Sequence, residues 1–286
     1  MKVISKFLFG MCCLAAITAC SNSEEPVINT DQPHEMTLSV NTGADTRTEL
    51  TENGTALKRV WKAGDKISVI FQKDDNNYHE IFTLSSGEGT TAGKFYNASS
   101  MLPTTGTQNF HLQYPAGTVD GNWVESSIAT QGDGSLSSVG DYEVLVGWNK
   151  SITDGVWSSI TLDQSSIILH ISTDVTLVNN ATGTMTVSSL VLSGTHVANE
   201  YGRNFSGVGN RTVGNITLSD LTLVDGKLQN DAYIVFMQGG GYAEDLKLTL
   251  TIDDTDYVVE LNNHSTPSDY GIYHLAESSI KAVPSM

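Results

Sequence analysis

The sequence predicts an all-β protein, and three observations support that class. From Met36 onward, apolar residues recur mostly at every second position, which is the period of a strand with one buried face. Turns rich in Gly, Asn and Ser, such as "GDGS" and "GVGN", separate these runs. No long stretch has the 3.6-residue period of a helix. Two β-sandwiches built from these strands are the expected architecture.

The individual strands differ in how much of them is buried. "MTLSV" (36–40) places Met36, Leu38 and Val40 on one face. "DLKLTLTIDDTDYVVEL" (245–261) has two alternating runs around an Asp-rich turn, which predicts a β-hairpin with one buried face. "SSIILHISTDVTLV" and "AYIVFM" are continuously apolar in part, which predicts strands buried on both faces.

The N-terminus has the layout of an export signal. Lys2 and Lys6 precede an apolar stretch from Phe7 to Ala19 that is too short for a confident membrane span. It ends in "ITAC", which resembles a bacterial lipobox with Ile where Leu is usual. This predicts a signal peptide over 1–19 and lipidation at Cys20, and a plain signal peptide is the alternative.

Composition divides the remaining chain into a tether and two domains. Residues 20–35 are polar, acidic and interrupted by two prolines, which predicts a tether. Residues 97–160 are rich in loops and hold three of the four tryptophans, whereas regular strands resume from "SITLDQSSIILHIS". We therefore predict an N-terminal β-sandwich over 36–159 and a C-terminal β-sandwich over 160–286.

Charge and cysteine usage exclude several classes of function. The chain carries 15 Lys+Arg against 32 Asp+Glu, a net charge of −17, and loss of the leader removes two more lysines. This charge opposes binding to nucleic acid or to anionic lipid headgroups. All three cysteines lie at or before Cys20, so the exported chain would contain no disulfide and no Cys-based metal site.

No motif indicates catalysis. In "VWKAGDKISVIF" (60–71), Asp65 and Lys66 could form an acid–base pair, but Gly64 and the following strand favour a corner of a sheet. "GEGTTAGKF" lacks the glycine spacing and the Ser/Thr of a phosphate loop, and "DDTD" lacks the glycine and distal Glu of a calcium loop. The histidines show no metal-ligand spacing. We predict no enzyme activity, no cofactor and no metal site.

The tryptophans allow two interpretations. Trp123, Trp148 and Trp157 lie among polar loop residues, where they could stack on sugar rings in an exposed cleft. The alternative, which the size of the side chain favours, is that they fill the core or an interface between domains. The first interpretation predicts a monomeric surface lipoprotein that binds glycans.

Several segments, in order, resemble fimbrillin-family proteins, the lipoprotein pilins of Bacteroidetes type V pili. "TRTEL" followed by "VWKAGDKISVIF" is similar to the opening of those proteins. "GEGTTAGKFYN", "NFHLQYP" and "DYEVLVGW" follow in the order that the family shows. "SIILHISTDV", "VSSLVLSG" and "LKLTLTIDDTDYVVEL" fall where strands of a second domain are expected. The resemblance spans residues 36 to about 275, and the closing segment departs from it.

The resemblance implies a pilin with two transthyretin-like β-sandwiches, lipidated and held at the outer membrane. Such pilins are trimmed after an Arg or Lys and polymerise with other pilin subunits by strand exchange. The trimming site would be Arg47 in "NTGADTRTEL", with Lys58 and Arg59 as the alternative. The displaced strand would be residues 36–41, with Met36, Leu38 and Val40 as its apolar face. The donor strand would be the C-terminal segment, with Ile272, His274, Ile280 and Ala282. A fibre of this kind would serve adhesion to a host or glycan ligand.

Overall fold

The computed structural model describes residues 32–42, 60–156, 159–262 and 270–286, and these residues are almost entirely β-structure. In the first part of the chain the elements are β1 (His34–Thr42), β2 (Lys66–Lys73), β3 (Asn76–Ser86), β4 (Ala92–Ser100), β5 (Thr107–Tyr114), β6 (Thr118–Asp120), β7 (Trp123–Ser127), α1 (Leu136–Tyr142), β8 (Leu145–Thr153) and β9 (Ile160–Gln164). The all-β prediction is confirmed.

The second part of the chain continues with short strands. They are β10 (Ile167–Ile171), β11 (Thr184–Val187), β12 (Ser189–Thr195), β13 (Val197–Asn204), β14 (Gly209–Val213), β15 (Ile216–Leu218), β16 (Leu221–Val224), β17 (Lys227–Leu228), β18 (Ala232–Gln238), β19 (Glu244–Ile252), β20 (Thr255–Leu261), β21 (Ile272–Leu275) and β22 (Ile280–Ala282). A short 3-10 turn, Glu277–Ser279, separates the last two strands.

The first domain is a closed barrel. Its strand order is β1-β4-β3-β2-β5-β8-β9, and β9 returns to pair with β1. The core is formed by side chains from every strand of the ring and by two fully buried residues outside the strands, Trp61 before β2 and Leu102 after β4. Closure leaves the ring without a free edge, a property that strand periodicity does not reveal.

The second domain packs two main sheets around one core. One sheet has the order β21-β10-β18-β13-β7-β6, with β14 also paired to β13, and the other has the order β15-β12-β19-β20-β22. Residues of both sheets, together with the small sheet β11-β16-β17, share one buried apolar cluster. The predicted hairpin is present, with Ile252 paired to Thr255 across Asp253 and Asp254. Both turn residues have positive φ, which is the geometry of a tight hairpin turn.

The two domains do not separate at one point in the sequence. Strand β9 starts at Ile160, after the predicted boundary, and completes the barrel. The hairpin β6–β7 lies before that boundary, yet it extends the sheet of the second domain through β13. A change of composition reports where regular strands begin, but it does not report which sheet each strand joins.

The domains are also joined by an apolar cluster of their own. It combines side chains from α1 and β8 with side chains from β10, β13 and β18. Gln131 links the same layers, because its side-chain amide donates to the carbonyl of Val235 (2.5 Å) and accepts from the N–H of Val235 (2.8 Å). The barrel and the second domain are therefore packed against each other. Among the described residues, none of the helical segments has the length and apolar character needed to cross a membrane.

Candidate functional site

The turn before β2 is a corner of the sheet, as the sequence favours. Asp65 accepts the backbone N–H of Lys62 (2.8 Å) with one carboxylate oxygen and the hydroxyl of Tyr114 (3.0 Å) with the other. Gly64 has φ +85°, a left-handed conformation that glycine adopts without strain. Because both oxygens of Asp65 hold the corner together, neither is placed to act on a substrate with Lys66.

Strand β1 is the element that closes the barrel. It runs antiparallel to β4, from Met36 opposite Asn97 to Asn41 opposite Ala92. On its other side it runs parallel to β9, with Val40 opposite Ile160. Loss of β1 would open the ring and leave two strands with unpaired backbone groups, a template for another strand.

The side chains of β1 are part of the barrel core. Met36 is 7% exposed, and Leu38 and Val40 are fully buried. At about 1.5–3 kcal/mol for each buried aliphatic side chain, the three contribute roughly 5–9 kcal/mol before opposing terms. The predicted apolar face of residues 36–41 therefore lies inside the barrel in this structure.

The last residues of β1 are fixed to the barrel rim. The Asn41 side chain donates to the Ser159 hydroxyl (2.6 Å), and the backbone N–H of Thr42 donates to the Thr91 carbonyl (2.9 Å). The chain then enters residues 43–59, which lie outside the described residues. The predicted trimming site Arg47 and its alternatives fall there, and the predicted lipidation site Cys20 also lies outside the described residues.

The C-terminal segment is paired within its own subunit. Strand β21 lies parallel to β10 at the edge of one sheet, and β22 lies antiparallel to β20 at the edge of the other. Ile272 and Ile280 are half-buried, whereas His274 and Ala282 are exposed. Leu275 is the buried residue of this segment, at 4% exposure. The proposed donor residues thus cover the edges of both sheets of the second domain.

The chain as a whole was compared with proteins of known structure. The solved structures that resemble the chain include a candidate cell adhesion protein from Bacteroides uniformis (15% identity, TM-score 0.47, 87% of this chain and 95% of that one), another from Bacteroides ovatus (14%, 0.45, 87% and 94%), and a fimbrial assembly protein from Parabacteroides distasonis (12%, 0.39, 87% and 93%). No family model and no curated protein matches. These neighbours are of the kind that the sequence resemblance names, but such low similarity assigns this chain neither a family nor an activity.

The tryptophans in the described part of the chain do not share one cleft. Trp61 is fully buried in the barrel, and Trp123 is half-buried on β7. Trp148 on β8 is 43% exposed. Trp157 lies outside the described residues. Of the candidate sugar-stacking residues, Trp148 lines a cavity.

That cavity lies where the barrel meets the second domain. Its volume is about 380 Å³. Strand β8 contributes Trp148, the hairpin β13–β14 contributes most of the remaining wall, and the loop after β18 closes one side. The lining residues are Trp148, Tyr201, Gly209, Asn210, Arg211, Gln238, Gly239 and Gly240.

A fully buried arginine supports the wall of this cavity. The guanidinium carbon of Arg203 lies 3.5 Å from the ring centroid of Trp148, within cation–π distance. Arg203 also donates to the hydroxyl of Tyr201 (2.7 Å) and to the carbonyl of Gly207 (2.9 Å). Burial lowers the pKa of Arg203 from its usual value. One face of Trp148 is thereby held in place by a buried cation.

His111 on β5 is the titratable neighbour of this arginine. Its Nδ1 accepts the backbone N–H of Asn149 (3.3 Å) and lies 3.5 Å from a terminal nitrogen of Arg203. Burial, together with the positive charge of Arg203, lowers the pKa of His111 from 6.5 to about 4. Protonation of His111 would place a second cation in the same buried space.

We expect this histidine to destabilise the folded chain in acid. The folded state binds fewer protons than the unfolded state between the folded pKa of about 4 and the ordinary value of 6.5, so stability falls as the pH drops through that window. A shift of about 2.5 pKa units at 1.36 kcal/mol per unit corresponds to a full loss of about 3 kcal/mol. His111→Gln keeps an acceptor for Asn149 and should remove this part of the pH dependence of the free energy of unfolding, measured by urea unfolding from pH 7 to pH 4. The same pH dependence in the wild type and the variant would contradict the prediction.

Sequence reasoning missed both Arg203 and a second polar cluster. His170 on β10 lies 2.6 Å from His274 on β21 and 3.0 Å from Asp231. Burial and the neighbouring His170 lower the pKa of His274. Residues 170, 231 and 274 are far apart in sequence and follow no motif, so no local pattern could have grouped them. Among the described residues, no group of three or more His, Cys, Asp or Glu could hold a metal.

Proposed function

We propose that the protein is a structural or accessory subunit of a cell-surface fimbria that serves adhesion and acts without catalysis. The observation that carries the proposal is the position of β1. This strand closes the barrel through two separate ladders and buries three aliphatic side chains. It is also followed in sequence by a segment with basic residues that a trypsin-like protease could cut. Removal of a closing strand would expose the sheet edges that the addition of a strand from another subunit requires.

In this proposal, the chain is exported, lipidated at Cys20 and anchored in the outer membrane. Cleavage after Arg47 then separates β1 from the remaining barrel. The groove between β4 and β9 accepts a strand from a neighbouring subunit in place of β1. Because the donor and the acceptor are different surfaces, the contact does not close on itself and produces a fibre.

The C-terminal segment is the proposed donor, and its position makes release feasible. β21 and β22 are each at the edge of a sheet, so their departure breaks one ladder in each sheet and leaves the remaining ladders intact. The exposed side chain of Ala282 limits what is lost on release, whereas release of His274 breaks its 2.6 Å contact with His170. Burial of Leu275 opposes release. Completion of a closed barrel in the acceptor subunit would offset the free energy that the donor subunit loses on release of this segment.

Mass analysis of cell-envelope and assembled material tests the processing steps together. We expect the membrane precursor to begin at an acylated Cys20 and the assembled form to begin at Thr48. Arg47→Ala should leave the chain at the precursor stage and reduce assembled material at least about tenfold, because an intact barrel offers no open groove.

The double variant Lys58→Gln/Arg59→Gln is the matched control. If it blocks processing while Arg47→Ala does not, the cleavage site is the second one. If assembled material retains residues 34–42 in either case, removal of β1 is not part of assembly. A precursor without an acyl mass would contradict the lipid anchor.

A further inference from the structure

We propose that the cavity beside Trp148 is a binding site for an anionic carbohydrate, with a sugar ring on the indole and its carboxylate at Arg211. This site does not depend on the proposed fimbrial function, although Arg211 contacts Ser165, which follows β9, and Tyr270, which precedes β21. Uronic acids and sialic acids both supply the required chemistry, a pyranose ring with an attached carboxylate. The position, between two domains, is one where ligand sites are frequent.

The indole supplies the apolar surface. Arg203 covers one face of Trp148 at 3.5 Å from the ring centroid, yet 43% of the side chain remains exposed toward the cavity and solvent. An aromatic side chain held rigid and partly exposed offers contact area to a ligand at a low cost in conformational entropy. Gly209 keeps this surface open, because a Cβ there would lie 3.0 Å from the Trp148 ring.

The charge of the cavity is opposite to that of the protein. The chain has a net charge of −17, but the described residues that line the cavity include Arg211 and no carboxylate. Fully buried Arg203 adds a second positive charge directly behind Trp148. Within the described part of the chain, neither arginine forms an ion pair with Asp or Glu. A basic cavity on an acidic surface attracts an anionic ligand rather than a neutral one.

Arg211 is positioned and retains donors. It donates to the Gln238 carbonyl (2.8 Å), the Ser165 hydroxyl (2.7 Å) and the Tyr270 hydroxyl (2.8 Å). These contacts use three of its five N–H groups, counted over the described residues, so two remain for a ligand. Hydrogen bonds between a guanidinium and a carboxylate are among the stronger ones in proteins.

Polar groups around the arginine suit sugar hydroxyls. Asn210 lines the cavity, is exposed, and forms no side-chain hydrogen bond with another described residue. Gln238 also lines the cavity, and its backbone carbonyl accepts from Arg211. Gly240 has φ +82° and no atom within 4 Å of an added Cβ, so the loop after β18 leaves open space at the entrance. An aromatic wall, a cation and amides around one opening form a set that fits an acidic sugar.

Matched pairs of sugars test the proposal by isothermal titration calorimetry on the unlipidated exported chain. One pair is methyl β-D-glucuronide and methyl β-D-glucoside, and the other is 3′-sialyllactose and lactose. We expect the carboxylated member of at least one pair to bind about tenfold or more tightly than its neutral partner. The pair that shows the difference identifies whether the ligand is a uronic acid or a sialic acid. Acetate alone should not compete, because it has no ring to stack.

Variants then separate the two contacts. Arg211→Gln should reduce the affinity for the carboxylated sugar to that of the neutral one, and Arg211→Lys should retain part of the preference. Trp148→Ala should abolish binding of both members, with Trp148→Phe as the variant that preserves an aromatic ring over Arg203. Lys281→Gln removes one positive charge at an exposed ion pair with Glu260 and should leave binding unchanged.

Several results would overturn the proposal. Binding of neither carboxylated sugar up to about 10 mM, which corresponds to less than about 3 kcal/mol of affinity, would show that the cavity is not such a site. Equal affinity for charged and neutral sugars would show that Arg211 does not recognise the carboxylate. The same conclusion would follow if Arg211→Gln is folded, as shown by thermal melting, and still prefers the carboxylated sugar.

Discussion

A subunit cut between β1 and β2 after folding should exchange its first strand. A specific protease site inserted within residues 43–47 allows the barrel to form before the chain is cut. We expect the cut protein to take up a labelled peptide of residues 34–42 and, in the absence of peptide, to convert from monomers into oligomers. The reason is that a vacated groove exposes the strand edges of β4 and β9 and apolar surface that contributes roughly 5–9 kcal/mol when covered.

The peptide itself supplies the matched control. A peptide with Leu38→Ser and Val40→Ser keeps the backbone ladder but loses the two fully buried side chains. It should bind at least about 100-fold more weakly, since two large aliphatic contacts are absent. Fluorescence anisotropy measures uptake, and light scattering after size exclusion measures assembly. A cut protein that stays monomeric and takes up neither peptide contradicts the assigned role of β1.

A reversible disulfide between β20 and β22 tests whether the C-terminal segment is the donor strand. Glu260 and Ala282 are opposite residues in the antiparallel pair of β20 and β22. Opposite residues of an antiparallel pair are close enough for a disulfide, and the chain has no cysteine after Cys20. Glu260→Cys with Ala282→Cys should hold the C-terminal segment in place and prevent oligomers from forming in the cut protein. A reductant should restore them. If the cross-linked protein forms oligomers as fast as the protein without the disulfide, another segment is the donor.

Replacement of Trp61 should have the largest effect of any single substitution in the barrel. Its ring lies 4.8 Å from Phe95 and 5.5 Å from Tyr114 in edge-to-face contacts, and it is fully buried. Trp61→Ala should lower the free energy of unfolding by about 3–5 kcal/mol, and Trp61→Phe by less than half of that. Urea unfolding followed by circular dichroism measures both.

The same substitution should loosen β1. Gly93 on β4 is opposite Val40, and a Cβ at Gly93 would lie 2.8 Å from the Trp61 ring, so the indole fills the space beneath this pair. Trp61→Ala should therefore speed peptide uptake in the cut protein. Val156→Ala, at a side chain 71% exposed, is the control and should change stability by less than about 0.5 kcal/mol. Similar losses for Trp61→Ala and Val156→Ala would contradict the assigned packing.

Local periodicity was sufficient to predict several of the strands and their buried faces. Alternation predicts that Leu38 and Val40 share a buried side, and both are fully buried. The pair of alternating runs around Asp253 and Asp254 predicts a hairpin, and the register of β19 and β20 confirms it. These features depend on residues within a few positions of one another, where the period of the backbone decides which side chains face the core.

Part of the candidate site followed from the sequence in the same way. Short segments of the sequence predicted both the apolar face of residues 36–41 and the sheet corner at Asp65. Trp148 could be named as a candidate because an aromatic residue near polar residues is visible in the sequence, although it lies on strand β8 and not in a loop. Its cavity could not be predicted, since the residues that build it come from β8, from β13–β14 and from the loop after β18.

The tertiary structure alone decided how distant strands meet. Pairing of Val40 with Ile160 closes the barrel, and pairing of β7 with β13 places a hairpin of the first half of the chain in the sheet of the second. An exposed backbone edge accepts any strand of suitable length, so the sequence of one strand does not specify its partner. Arg203 reaches Trp148 for the same reason: the contact exists only because the packed domains bring β13 against β8. The sequence therefore determined which surfaces are buried, and the packing of the whole chain determined what each surface is buried against.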